Sequence, residues 1–228
     1  MRAGAGGNDV PRVRRLLLVL AVLVAVGATA AVAARNPHAE RQHLTAAGNR
    51  LAKRALLRPS DLPDWTRIAA PSDDSSPTCP GFDPDVSAFT VTGKAAVSFV
   101  HSALAQIGST ADVFASRGQA AGDFKAGAKP QLAGCLRYLL EREFRASAGA
   151  VKADVLSARM VRAPRLGERS AAYRLVSRVR VGGLSLRAYT DLLVIQRGRT
   201  IAALIFTGID SPVPSRTAYG RIVAARMR

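Results

Sequence analysis

The sequence is poor in the residues on which catalysis and metal binding draw. It has three histidines and two cysteines, and His38, His43 and His101 fall at none of the spacings that build a metal centre. No metal and no cofactor are therefore expected. There is no GxSxG nucleophile elbow, no GxGxxG dinucleotide turn and no P-loop. Triads also assemble in space without local motifs, so a secreted hydrolase stays open as an alternative. No residue stands out as catalytic, and the chain is read as a non-enzyme. A single tryptophan, Trp65, occurs in DLPDW. Both packing against the sheet and lining a ligand pocket suit it.

Acidic residues are scarce as well. Sixteen Asp and Glu stand against 33 Lys and Arg, for a net charge of +17 over 228 residues. Such a surface attracts anionic partners over roughly 8 Å at physiological salt. In the cytoplasm that would suggest nucleic acid. The N-terminus points elsewhere. Arg12, Arg14 and Arg15 precede an uncharged apolar run, Leu16–Ala34, which as a helix spans about 28 Å and matches a bilayer core. The basic flank orients the remainder outward. Ala31-Val32-Ala33 also fits a small-residue cleavage site, so anchor and cleaved signal peptide both remain open. Either outcome places residues 35–228 outside the cytoplasm. The expected partners there are the membrane itself through residues 16–34, anionic lipid or cell-wall polymer, and a small apolar ligand, with no nucleic acid. Arg far outnumbers Lys and Ala, Gly and Val are abundant, a bias that a GC-rich genome also produces.

Cys79 and Cys135 are an even cysteine count in an exported domain, which reads as a disulfide. The loop closes about 57 residues, for roughly 4 kcal/mol in the chain-entropy model. Two inert thiols or a redox pair are the alternatives.

The layout is a basic cytoplasmic tail (1–15), the apolar helix (16–34), a membrane-proximal helix or stalk (35–58) that could also open the domain, and an extracytoplasmic domain (59–228). Leu44, Ala47, Leu51 and Ala55 follow helical spacing until Pro59 and Pro63 end it. A short strand is expected at 65–69 and a loop at 70–85. Residues 61–85 hold Asp61, Asp64, Asp73, Asp74, Asp83 and Asp85. Turn and cap roles suit them better than a calcium loop, whose ligand spacing is missing. Strands are predicted at 86–92, 95–107 and 109–115, helices near 118–127 and over 130–144. Leu132, Cys135, Leu136, Leu139 and Leu140 share one face of the second helix.

Residues 170–181 alternate, with Tyr173, Leu175, Val179 and Val181 on one side and Arg174, Arg178 and Arg180 on the other. Gly182-Gly183 is a two-residue hairpin signal. A strand over 184–196, a turn at Gly198-Arg199, a strand over 200–207 and a closing helix over 215–227 follow. The hairpin register sets Arg174 opposite Asp191, Arg178 opposite Arg187 and Arg180 opposite Ser185. Like charges directly opposed are unfavourable unless an anion or water separates them. Arg178, Arg180 and Arg187 are therefore a candidate anion contact, suited to phosphate because the planar guanidinium binds it bidentately. A solvated sheet face is the bland alternative. Consecutive strands without βαβ alternation give an α+β class, an antiparallel sheet covered by helices.

In layout the chain resembles the sensor domains outside mycobacterial receptor Ser/Thr kinases, and related small actinobacterial lipoproteins of photosystem-subunit-P-like fold. LLRPSDLPDW, CPGFDPD, PQLAGCLRYLL, LGERSAAYRLVSRV and the 184–209 hairpin carry the resemblance, over roughly residues 44–227. It implies a non-enzymatic ligand or signal receptor. Residues 35–228 hold no kinase segment, and no Cys follows the apolar run to take a lipid. The resemblance carries over no functional residue.

Overall fold

The computed structural model describes residues 37–70, 79–102, 104–146, 151–181 and 183–227. The basic tail, the apolar run Leu16–Ala34, and Asp73 and Asp74 lie outside the described residues. Among the described residues no helix is long and apolar enough to cross a membrane.

Among the described residues eight strands form one mostly antiparallel sheet: β1 (Arg41–Gln42), β2 (Thr66–Ile68), β3 (Thr90–Ser102), β4 (Ala105–Phe114), β5 (Val151–Val161), β6 (Arg169–Val181), β7 (Leu184–Arg197) and β8 (Thr200–Ile209). Their order is β1-β3-β4-β8-β7-β6-β5, with β2 sharing the outer edge of β3. Only the two-residue β1 runs parallel to its neighbour. Alternate side chains point to opposite faces. One face carries Phe99, Ile107, Leu204, Leu193 and Ile195, covered by α1 (Ala46–Arg54) and α4 (Arg216–Arg226). The other carries Ala171, Tyr173, Val179 and Ala188, covered by α3 (Gln131–Ala146). On that side α2 (Arg117–Gly127) sets Ala120 against Val91 and Phe114.

Of the two readings open for the first helix, opening the domain is the one found here, and two further expectations need correction. α1 is capped by Thr45, whose side chain accepts from the Gly48 amide at 2.9 Å, and lies on β3. A Cβ on Gly48 would meet the Thr92 carbonyl at 2.0 Å, so only glycine permits this approach. Ala52, Ala55, Leu56 and Leu57 enter the core. The folded unit therefore starts well before Pro59.

The stretch 86–115 forms two long strands and not three. The glycines at 93 and 108, which read as breaks, lie inside them. Gly93 sits at a register shift beneath α1, the role of a strand glycine at a bulge or close approach. The reversal comes after Ser102, whose Oγ accepts from the Leu104 amide at 3.1 Å.

Residues 151–161, to which periodicity assigned no element, are the edge strand β5. A bulge between Val155 and Ser157 shifts its register on β6. The alternation changes phase there, leaving Leu156 exposed and hiding the period-2 signal.

β7 meets β8 first at Ala188, opposite Ile209. Its residues 184–187 continue past that point by about 13 Å; Arg187 still bonds Asp210, just after β8, and the rest pair with β6, which is paired in turn to β5. The ends of β5, β6 and β7 thus make a three-stranded arm. On one side Leu140 and Phe144 of α3 pack on Ala153, Val179, Leu186 and Ala188.

Candidate anion-binding surface

The uncovered side of the arm is cationic. The register places Arg174 opposite Asp191, Arg178 opposite Arg187 and Arg180 opposite Ser185, the pairing that the Gly-Gly turn requires. Gly183 has φ +84°, left-handed backbone that glycine adopts without strain. β5 then adds Lys152 opposite Arg180, Asp154 opposite Arg178 and Arg159 opposite Arg174.

These charges divide by burial. Toward the middle of the sheet Asp191 is only 7% exposed. Arg174 grips it with Nε to Oδ1 at 2.7 Å and Nη2 to Oδ2 at 3.3 Å. Arg216, the first residue of α4, donates to Oδ2 as well. A carboxylate out of water needs such partners, and α4 docks here because it brings one.

Toward the arm the pairing runs differently. Arg178, Arg180 and Arg187 are exposed. Asp154 faces Arg178 in register but accepts from Arg180 at 2.5 Å, on the diagonal. Asp210, at φ 61°, lies beside Arg187. Its Oδ1 accepts the Arg187 backbone N–H at 3.2 Å, and its own amide donates to the Arg187 carbonyl at 2.6 Å. Both nearby carboxylates are thus committed, and among the described residues no ion pair engages Arg178 or Arg187. Two guanidiniums face each other across the strands. A phosphate between them would accept from both forks.

Of the three candidate arginines, sequence reasoning therefore grouped two that share this setting and one, Arg180, that a carboxylate already holds. Asp154 was missed because it belongs to the unassigned strand. Trp65 is brought nowhere near them. It lies beyond the opposite edge, next to β2, its ring 5.3 Å from that of His101 and its body against the main core. His101 Nδ1 bonds the Asp64 carbonyl at 2.9 Å.

The other expected roles fall into place locally. Cys79 and Cys135 are disulfide-bonded and tie the acidic loop to α3. Asp61 accepts the Arg58 amide at 2.8 Å and both ends of the Arg226 guanidinium at 2.6 and 2.7 Å. Burial raises its pKa, but these bonds outweigh it and the net shift is downward. Asp83 holds His38 at 2.7 Å. Ser87 donates its hydroxyl to Asp85 at 2.7 Å and not to that imidazole. Among the described residues no group of three or more His, Cys, Asp or Glu could hold a metal ion.

One further site escaped sequence reasoning. Asp123 of α2 is half-buried, and burial, then the nearby Glu40 and Asp112, push its pKa up to about 7. No periodic signal marks it, since these acids come from β4, α2 and the residue before β1.

No family model matches the sequence, and no curated protein matches it. Among solved structures the chain is similar to the extracellular domain of PknH from Mycobacterium tuberculosis, at TM-score 0.47 and 7% identity, over 78% of this chain and 95% of that one.

Proposed function

We propose that the chain is a non-enzymatic, membrane-tethered extracytoplasmic binding domain of the bacterial envelope, sensor-like in layout. Its binding surface is the open cationic side of the arm, and its ligand is a phosphate-bearing anion such as a lipid head group or wall polymer. The address rests on the apolar run with its arginine flank and on the disulfide, a bond that persists in oxidising compartments. The observation that carries the ligand class is the opposed pair Arg178 and Arg187, exposed and, among the described residues, without an ion pair, while Asp154 and Asp210 beside them are used elsewhere. A hydrolase has no comparable support, and Trp65, the residue suited to an apolar pocket, is engaged in packing.

The test is titration of the full chain, in detergent micelles, with inorganic polyphosphate at increasing salt. Binding should weaken steeply with salt, and Arg178→Ser with Arg187→Ser should remove most of it. Binding that is equal in the double variant at low salt would overturn the reading.

A further inference from the structure

Arg178 and Arg187 do not stand alone at the end of the arm. Leu184, the first residue of β7 after the turn, is the most exposed large hydrophobic among the described residues, at 54%. Arg180 stands opposite Ser185, one residue along, and Lys152 stands opposite Arg180 from β5. The arm thus ends in an apolar side chain on the α3 side of its tip, with arginines and a lysine one to three residues behind it on the open side, so that both reach one surface when the arm meets it end-on. A lone exposed leucine is ordinary on a soluble surface; what is particular here is its place at the end of a projecting hairpin whose next residues are cationic. A polyanion in water gives that leucine no partner.

An anionic bilayer satisfies both parts. Phosphates of the head groups meet the guanidiniums, and the leucine enters the boundary between head groups and acyl chains, where apolar side chains of peripheral segments reside. The depth matches. Arg187 lies three residues behind Leu184, about 10 Å along a strand, comparable to the 5–10 Å by which apolar faces of interfacial elements enter a membrane. The other side of the arm is stiffened by Leu140 and Phe144 of α3, so the tip is presented on a packed support.

We infer that the arm of β5, β6 and β7 is a bilayer-docking device, which seats Leu184 in the interface of an anionic membrane while Arg178 and Arg187 bind head-group phosphates. This rests on the anion-binding reading above and adds a specific partner to it. β1, the first strand of the described chain, pairs at the start of β3, whereas the arm projects at the end of the sheet where β3 finishes and β7 begins. A domain tethered at one end and attracted to lipid at the other would lie along the membrane surface and not stand away from it.

The experiment uses the full chain reconstituted into vesicles, with Leu184→Cys carrying an environment-sensitive fluorophore. Both native cysteines are in the disulfide and leave the label specific. A second label at Met160→Cys, on the far half of β5, serves as control. In vesicles containing phosphatidylglycerol, the label at 184 should be quenched by brominated lipid and the label at 160 should not. In phosphatidylcholine alone neither should be quenched. Arg178→Ser with Arg187→Ser should lower the docked-to-undocked ratio roughly thirtyfold. A label at 184 that stays in water on both compositions, or quenching indifferent to the arginines, overturns the inference. If polyphosphate binding still requires Arg178 and Arg187 in that case, the anion-binding reading stands and the bilayer is the wrong partner. If polyphosphate binding is also absent, both readings fall.

Discussion

Arg174 and Arg178 point from the same face of β6, four residues apart, into opposite settings. Arg174 lies where α4 reaches the sheet, opposite Asp191, and shares that carboxylate with Arg216. Arg178 lies beyond the helix, opposite Arg187, in water. Where α4 covers the sheet, the buried Asp191 is matched by two guanidiniums, because desolvating an unpaired ion costs several kcal/mol. Where the sheet is open, the dielectric screens repulsion to a few tenths of a kcal/mol, and like charges survive side by side. Charges left unpaired on the open part are therefore available to a ligand in a way that those under α4 are not.

The contrast can be broken most strongly at Asp191. Asp191→Ala should cost about 4 kcal/mol of unfolding free energy, since it strands two guanidiniums under α4. Urea denaturation of the oxidised protein measures it. A loss under 1 kcal/mol would mean that this half of the face is as wet as the arm.

Asp123 supplies a converse, a half-buried acid with two others nearby. Its folded pKa of about 7 lies above the 3.8 of a free aspartate, so folding favours the protonated acid. The stability this provides is complete below about pH 4, declines as the pH rises toward 7, and is gone above that. Asp123→Asn should match the wild type at pH 4 and exceed it by at most about 4 kcal/mol at pH 8, less where water screens the half-buried carboxylate. Thermal melts across that range decide the matter, and parallel curves for the two proteins would refute it.

Smaller effects are expected on the arm. Arg187→Asp gives Arg178 an opposed carboxylate and should stabilise by about 0.5 kcal/mol, while polyphosphate binding falls. Asp154→Ala should cost about 0.5 kcal/mol or less, because its pair with Arg180 is exposed. By freeing Arg180 it should tighten polyphosphate binding, which titration calorimetry would register. Losses of 2 kcal/mol at either position would show that the arm is a structural network and not an open surface.

Elements whose signals are local were legible beforehand. The β6–β7 hairpin followed from strict alternation around Gly182-Gly183, and its register follows from turn length alone. Helix α3 followed from one apolar face with Pro130 before it. The strands β3 and β4 were misdivided because a glycine inside a strand looks the same in sequence whether it ends the strand or admits a helix against it. β5 was missed because its bulge breaks the period on which recognition depends. That strand supplies Asp154 and Lys152, so the candidate surface was drawn without the acid that pairs with Arg180.

By itself the sequence determined that Arg178 and Arg187 are opposed, that Tyr173 and Val179 share the other side of β6, and that α1, α3 and α4 each have an apolar stripe to bury. These depend on interactions a few residues long, where steric rules and turn geometry leave one outcome. The tertiary structure alone decided that β8 lies between β4 and β7, that α1 rests on Gly93, that Arg216 joins Arg174 on Asp191, and that Asp154 turns to Arg180. Those outcomes couple residues from distant parts of the chain, and they are selected by how the whole apolar surface is buried and every desolvated charge matched at once.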